Sequence, residues 1–297
     1  MSDMTLHNEM LQQHLKLARR RRNIRVLKRV ALYVFLFTFT FAVAFPFLWM
    51  ISSALKTKDE VMNSFSLIPN EFLWGNFLEA FHGAPFGSYI FNSLFTALVI
   101  VAIQIVNSAM IAYALTQLKF RGRGAMFAVI MATNMLPAAA TYVPSYIILA
   151  NMGLLNTYTG LIISNCVYMF GIFLIRQAFL QVNSSLVEAA WVEGAGHWHT
   201  LWHILVPIAK SSFVTLGLLS FVANYNNYMW PSLITTRPQY YLISQGLRLY
   251  FIEGGAYGIK WPQIMAASTF TVLPLMILFF ITQRWFIQGI SDSGVKG

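Results

Sequence analysis

Glu188-Ala189-Ala190-Trp191-Val192-Glu193-Gly194-Ala195, with Ile204-Leu205-Val206-Pro207 a little further on, is a short polar interlude between two long apolar runs. Ser185 and Glu188 form a Ser-x-x-Glu capping box, which predicts the start of a helix. Gly194 supplies a residue able to take positive φ where that helix must stop. A second helix is expected soon after, entering the next apolar run at Pro207. The result is a helix–turn–helix knob, with the small side chains of Ala189 and Ala190 on a face that another protein could approach closely. A hairpin joining two apolar segments needs no partner, so the pattern alone leaves both readings open.

The composition says what lies on either side. Of 297 residues, 57% are hydrophobic and only 10% charged, with a mean hydropathy of +0.60. Soluble domains carry roughly a quarter charged residues. A soluble enzyme and a disordered chain are excluded. The single cysteine, Cys166, excludes an internal disulfide framework. A helix needs about 20 apolar residues to cross a bilayer. Six windows meet that demand, at 30–55, 89–118, 125–150, 158–180, 204–230 and 262–286. Pro137, Pro144 and Pro207 make the third and fifth windows the least regular. The expected fold class is all-α, a polytopic membrane protein of six transmembrane helices.

The formal net charge of +10 would point to nucleic acid in a soluble chain. Its distribution points elsewhere. With the amino terminus in the cytoplasm, fifteen basic and five acidic residues fall on the inner side, and five of each on the outer. The excess therefore sits on one face, as expected of a membrane protein with both termini cytoplasmic. No nucleic-acid partner is expected. Residues 1–29 form a basic leader, either an amphipathic helix built on Leu6, Met10, Leu11 and Leu17 along the lipid surface, or a segment that merely fixes topology. Ala42-Val43-Ala44 has the look of a signal cleavage site. The long leader and the apolar run continuing past Trp49 favour an uncleaved span.

Several mechanisms lack their parts. No Asp or Glu falls inside any window, which disfavours proton-coupled transport. No phosphate-cradling loop is present, so ATP and Mg would have to be bound by other subunits. No catalytic set is visible, and an enzyme is not expected. His199 and His203 have a metal-binding spacing but lack a third ligand, so no metal is expected. A self-sufficient channel or secondary transporter remains the rival class.

With its spacing counted out, the knob resembles the signature of ABC importer permeases: Glu-Ala-Ala at 188–190, Gly194 after three residues, and Ile204 through Pro207 after nine. Glu193 stands where aspartate is usual and Val206 where leucine is. Pro46-Phe47-Leu48-Trp49, Asn92-Ser93-Leu94, Gly153-Leu154-Leu155-Asn156-Thr157 and Gly171-Ile172-Phe173-Leu174 are similar to the carbohydrate branch. The tail, with Val295, Lys296 and Gly297, is similar to that of the maltose-type second permease. The resemblance implies the type I permease fold over 30–290 and a coupling loop at 184–203. It implies docking on an ATPase through Glu188, Ala189, Ala190, Gly194, Ala195, Ile204 and Pro207. It also implies an ATPase contact by the tail at 291–297. The implied partners are a second permease subunit, two ATP-binding subunits and an external solute-binding protein. The implied location is a bacterial inner membrane.

For solute, Asn226, Asn227, Tyr228 and Trp230 gather at the outer end of the fifth window. Amides bond hydroxyls and aromatic faces stack on sugar rings, while an interfacial aromatic belt explains the same cluster. Arg237, Arg248 and Lys260 outnumber Glu253 in the following external stretch, an excess that hints at an acidic saccharide or a glycerol phosphate. Contacts with a binding protein account for it equally well.

Overall fold

The computed structural model describes residues 2–255 and 260–294, with side chains described for 23–252 and 260–284. The chain is helical, and no strand occurs among the described residues. Among the described residues, three unbroken helices are long and apolar enough to cross a membrane: Asn23–Ala54, Phe86–Gln117 and Trp261–Arg284. Three bent pairs meet the same test jointly. They are Arg123–Asn134 with Ala138–Asn151 at 99°, Met169–Gln181 with Ser184–Val192 at 78°, and His197–Ile208 with Lys210–Tyr225 at 83°.

The first helix runs unbroken from Ser2 to Ala54. The expected boundary between leader and span at residues 29–30 is therefore not a break in structure. From residue 23 to 43 every side chain is exposed, aromatic and aliphatic alike. Beyond Arg29 this stretch is apolar all round, and such an exposed helix is suited to lipid or to a partner.

Helix Phe86–Gln117 is the centre of the molecule, packing against both Met169–Gln181 and Lys210–Tyr225, which also touch each other. Its carboxyl-terminal half contributes Ala109, Ala112 and Tyr113 to a first core with Ile175, Phe179, Leu205 and Leu216. Its amino-terminal half contributes Phe86, Tyr89 and Ala97 to a second core with Phe221, Tyr225 and Ala267. A third, smaller core joins Leu149, Leu161, Trp230 and Ile234.

The windows read as continuous are not all so. In the third, the chain turns at Met135–Pro137. Proline biases its predecessor away from helix, and Pro137 stands at the start of the next one. Pro144, by contrast, lies inside Ala138–Asn151 without ending it. The fourth window is a short helix, Tyr158–Ile163, an irregular stretch at 164–168, and then Met169–Gln181. The fifth bends at Ala209, not at Pro207, after a wide π-helical turn at Thr200–Leu205. It stops at Tyr225, short of the expected end.

The gap in the fourth window survives because side chains of the central helix meet its carbonyls. Gln104 Nε2 donates to the Asn165 carbonyl at 2.5 Å, and Asn107 Nδ2 to the Cys166 carbonyl at 3.0 Å. Gln104 Oε1 in turn accepts from Ser220 Oγ at 2.5 Å, tying the fifth window to the same point. Replacing Gln104 by Leu strips a partner from both groups. The expected cost is about 1 kcal/mol of stability, read as a lower unfolding temperature of the detergent-solubilised protein. Gln104→Glu and Gln104→Ala should also lower it.

Candidate functional site

The knob is a nine-residue helix, Ser184–Val192, and the segment His197–Ile208. Its amino-terminal cap is Asn183, whose Oδ1 accepts from the Ser185 amide at 3.1 Å. The expected Ser185–Glu188 box does not form. Asn183, in extended backbone one residue before the helix, takes the first-turn amide and leaves Ser185 inside it. At the other end Gly194 adopts φ +87°. The Gly194 amide donates to the Trp191 carbonyl at 3.1 Å and the Ala195 amide to the Ala190 carbonyl at 2.9 Å. This pair of bonds is the Schellman motif, and only a left-handed residue permits it.

Ala189 and Ala190 do not share a face, since adjacent helical residues point about 100° apart. Ala190 is buried with Val187, whereas Ala189 and Glu188 are exposed. Ala195 and Ile204 are half-buried and Pro207 is exposed. Sequence reasoning missed three exposed apolar side chains of the knob. Leu186, Val192 and Trp198 stand outward, Val192 at 89% exposure and Trp198 at 64%. The signal was present: apolar residues adjoining Val187 and Ala190 cannot all face inward on one short helix. His199 and His203 stack their rings at 4.3 Å on the same segment.

The inward face is fastened to the body. Val187, Leu201 and Leu205 enter the first core with Tyr113, Ile175 and Phe179. The Tyr113 hydroxyl and His197 Nδ1 share a hydrogen bond at 2.8 Å. The Trp191 ring meets the same imidazole edge-on at 5.9 Å. One end of the central helix thus touches both arms of the knob.

At the opposite end, the four candidate solute residues part company. Asn226 is exposed, and Asn227 is half-buried with its carbonyl accepting from Ser244 Oγ at 2.8 Å. Tyr228 carries the Arg248 guanidinium 5.1 Å from its ring centre, and Arg248 also donates to its hydroxyl. Together with Thr235, Tyr241 and Gln245 these two line a polar recess of about 190 Å³. Trp230 is different. It is buried at 6% exposure, stacks on Tyr142 at 5.6 Å and donates Nε1 to Ser164 Oγ at 2.9 Å. Its ring faces are taken up by packing, so it leaves the solute-facing set. Val295, Lys296 and Gly297 lie outside the described residues.

The Gly153–Thr157 stretch anchors this end. Gly153, at φ +68°, closes Ala138–Asn151 by the same Schellman pattern as Gly194. Asn156, at φ +55°, offers Oδ1 to the Thr236 amide, the Thr236 hydroxyl and the Arg237 amide.

A family model described as binding-protein-dependent transport system inner membrane component matches residues 104–292, the knob included. The chain belongs to that family. The sn-glycerol-3-phosphate transport system permease protein UgpE of Yersinia enterocolitica is 34% identical over 77% of this chain and 83% of its own length. The probable ABC transporter permease protein YurM of Bacillus subtilis is 30% identical over 96% and 94%. Among solved structures, a bacterial ABC transporter involved in import of the acidic polysaccharide alginate superposes with a TM-score of 0.77. It covers 86% of this chain and 95% of the other, at 22% identity. That likeness establishes the fold, a type I importer permease. As a transport permease subunit, an inner-membrane component with membrane-spanning helices, the chain is not an enzyme by family.

Asn156 ties the connection after Ala138–Asn151 to residues 236–237 through one side chain. Asn156→Gly keeps the backbone conformation and deletes the tie. The amides of Thr236 and Arg237 should then exchange hydrogen about fivefold faster, equivalent to about 1 kcal/mol of lost bonding. Mass-spectrometric exchange on the 231–241 segment reads this directly.

Proposed function

We propose that the chain is one half of a heterodimeric pore in an ATP-driven, binding-protein-dependent carbohydrate importer of the maltose type. In this reading the six spans are the three unbroken helices, the bent pair at 123–151, residues 158–181 across their gap, and Lys210–Tyr225, while Ser184–Val192 and His197–Ile208 stand outside the membrane as the knob. The one-sided basic charge supports both termini in the cytoplasm. Two partner ATPases bind ATP and Mg, and this chain binds neither. An external solute-binding protein delivers the solute. A second solved structure of similar fold, a bacterial alginate ABC transporter in complex with alginate pentasaccharide-bound periplasmic protein, supports that last role for its own system.

The observation that carries the reading is the knob: a helix capped at both ends that leaves Leu186 and Val192 exposed, with Trp198 exposed on the following segment, while Val187 and Ala190 are buried. Large apolar side chains left outward on so small an element suit a surface that a partner covers. ATP-driven closure of the ATPases would move the knob, and Tyr113 and His197 would pass the motion to the central helix. The cavity would then alternate between its two faces by rigid-body rotation of helix groups. Ala189, Glu188 and Gly194 present the docking side, Ala190 and Ala195 hold its shape, and Ile204 and Pro207 lead back to the membrane. Lys296 and its neighbours in the tail would make a second ATPase contact.

For solute, Asn226, Asn227 and Tyr228 offer amide and aromatic groups to an oligosaccharide, acidic ones such as alginate oligomers included. A specific observation favours a second reading: the relative at 34% identity is a glycerol-3-phosphate permease by name. In the reconstituted complex, binding protein loaded with an oligosaccharide should raise ATP hydrolysis. Stimulation by glycerol phosphate alone would transfer the chain to the second reading.

The coupling role has its own test. Gly194→Pro deletes the amide that closes the helix and forbids positive φ, so transport-coupled ATP hydrolysis should disappear while membrane insertion persists. Gly194→Asn, which tolerates the left-handed region, should retain much of it. Normal uptake by the proline variant would sink the assignment.

A further inference from the structure

A groove of about 590 Å³ runs between the central helix, Lys210–Tyr225 and the last helix, apart from both the knob tip and the external recess. Its wall is almost wholly apolar, built from side chains such as Leu98, Val101, Val214, Phe221 and Leu278. One end is different. Lys210 and Thr282 lie there, beside Pro207 at the 83° bend. Arg284 follows Thr282 on the same helix by two residues.

Gly217 forms part of the groove's lining, and nothing in the packing calls for a glycine there. A Cβ added to it would meet only Ile105 Cδ1, at 3.7 Å, an ordinary contact. Its φ is not positive either. Glycine inside a helix costs about 1 kcal/mol relative to alanine. What the missing side chain provides here is open space along the groove.

The dimensions identify what the space would take. From Lys210 to Phe221 the helix rises about 16 Å, at 1.5 Å per residue. One leaflet's share of the hydrocarbon core is about 15 Å, half of roughly 30 Å. The groove therefore reaches from the cytoplasmic headgroup level, where the charge distribution puts Lys210, to the middle of the bilayer. A dry slot of one-leaflet length with a cation at its headgroup end matches a negatively charged lipid in both shape and charge.

We propose that this groove holds an anionic phospholipid of the cytoplasmic leaflet, with one acyl chain along Gly217 and its phosphate beside Lys210. The lipid would sit against the hinge that joins the knob to the fifth window, a site the importer reading does not require. A helix of the partner permease is the competing occupant, and the crosslinking arm of the test separates the two.

Native mass spectrometry of the intact complex, titrated with phosphatidylglycerol or phosphatidylcholine, tests this. The expected result is saturable binding with about a fivefold preference for phosphatidylglycerol, the worth of one basic residue at an anionic surface. Lys210→Gln should erase that preference and keep the acyl binding. Gly217→Leu should fill the slot and reduce binding of both lipids. The same preference in wild type and Lys210→Gln, or unchanged lipid retention by an intact Gly217→Leu complex, overturns the proposal. So does efficient crosslinking of Val214→Cys to the partner permease, whereas its labelling by a photoreactive phosphatidylglycerol supports it.

Discussion

A backbone carbonyl freed inside a membrane has no water to meet it, and an unmet one costs several kcal/mol. The rest of the structure depends on how that constraint is satisfied. Helix Phe86–Gln117 serves irregular backbone at two heights. Near its amino-terminal end Asn92 donates to the carbonyls of Gln239 and Tyr241, and Ser93 Oγ accepts the Ile243 amide. Midway, Gln104 and Asn107 meet the carbonyls of Asn165 and Cys166. Near its carboxyl-terminal end the Tyr113 side chain bonds that of His197. The unbroken helix at the centre is the one that makes breaks in its neighbours tolerable.

This division of labour has a mechanical consequence. The bend at 135–137 and the gap at 164–168 would give the neighbouring segments places to rotate. The bend at 209 is different, because one core holds Leu205 and Phe213 on its two sides. Closely packed cores switch between discrete arrangements and do not deform continuously. That core, which contains Val187 and Phe213 together with Tyr113, would therefore move with the knob as a unit.

Hydropathy made the apolar windows readable, and residue spacing made the knob readable, because both depend on side chains near in sequence. What escaped was settled by partners far away. The fourth window looks continuous, since nothing in residues 158–180 announces that Gln104 and Asn107 will meet the carbonyls of a gap. Pro137 and Pro144 look equivalent, and only the first coincides with a turn. Ser185 fits the capping box by type, but Asn183 stands one residue before the helix, where a cap must be. Trp230 reads as a sugar platform until Tyr142 and Ser164, both distant in sequence, claim its ring and its N–H. Amides spaced three apart in an otherwise apolar helix, as at 104 and 107, were the signal available for the broken segment.

The knob shows why local and distant terms must agree. A helix of nine residues is marginal in water on its own, because nucleation fixes several residues for the first bond. Asn183 at its start and the Gly194 turn at its end satisfy groups that would otherwise fray it. Burial of Val187 and Ala190 then adds what local bonding cannot. A flexible loop pushed from outside would absorb the push by unwinding. A segment capped at both ends and fastened through His197 would transmit it, so the stiffness of so short a helix is itself the property a lever needs.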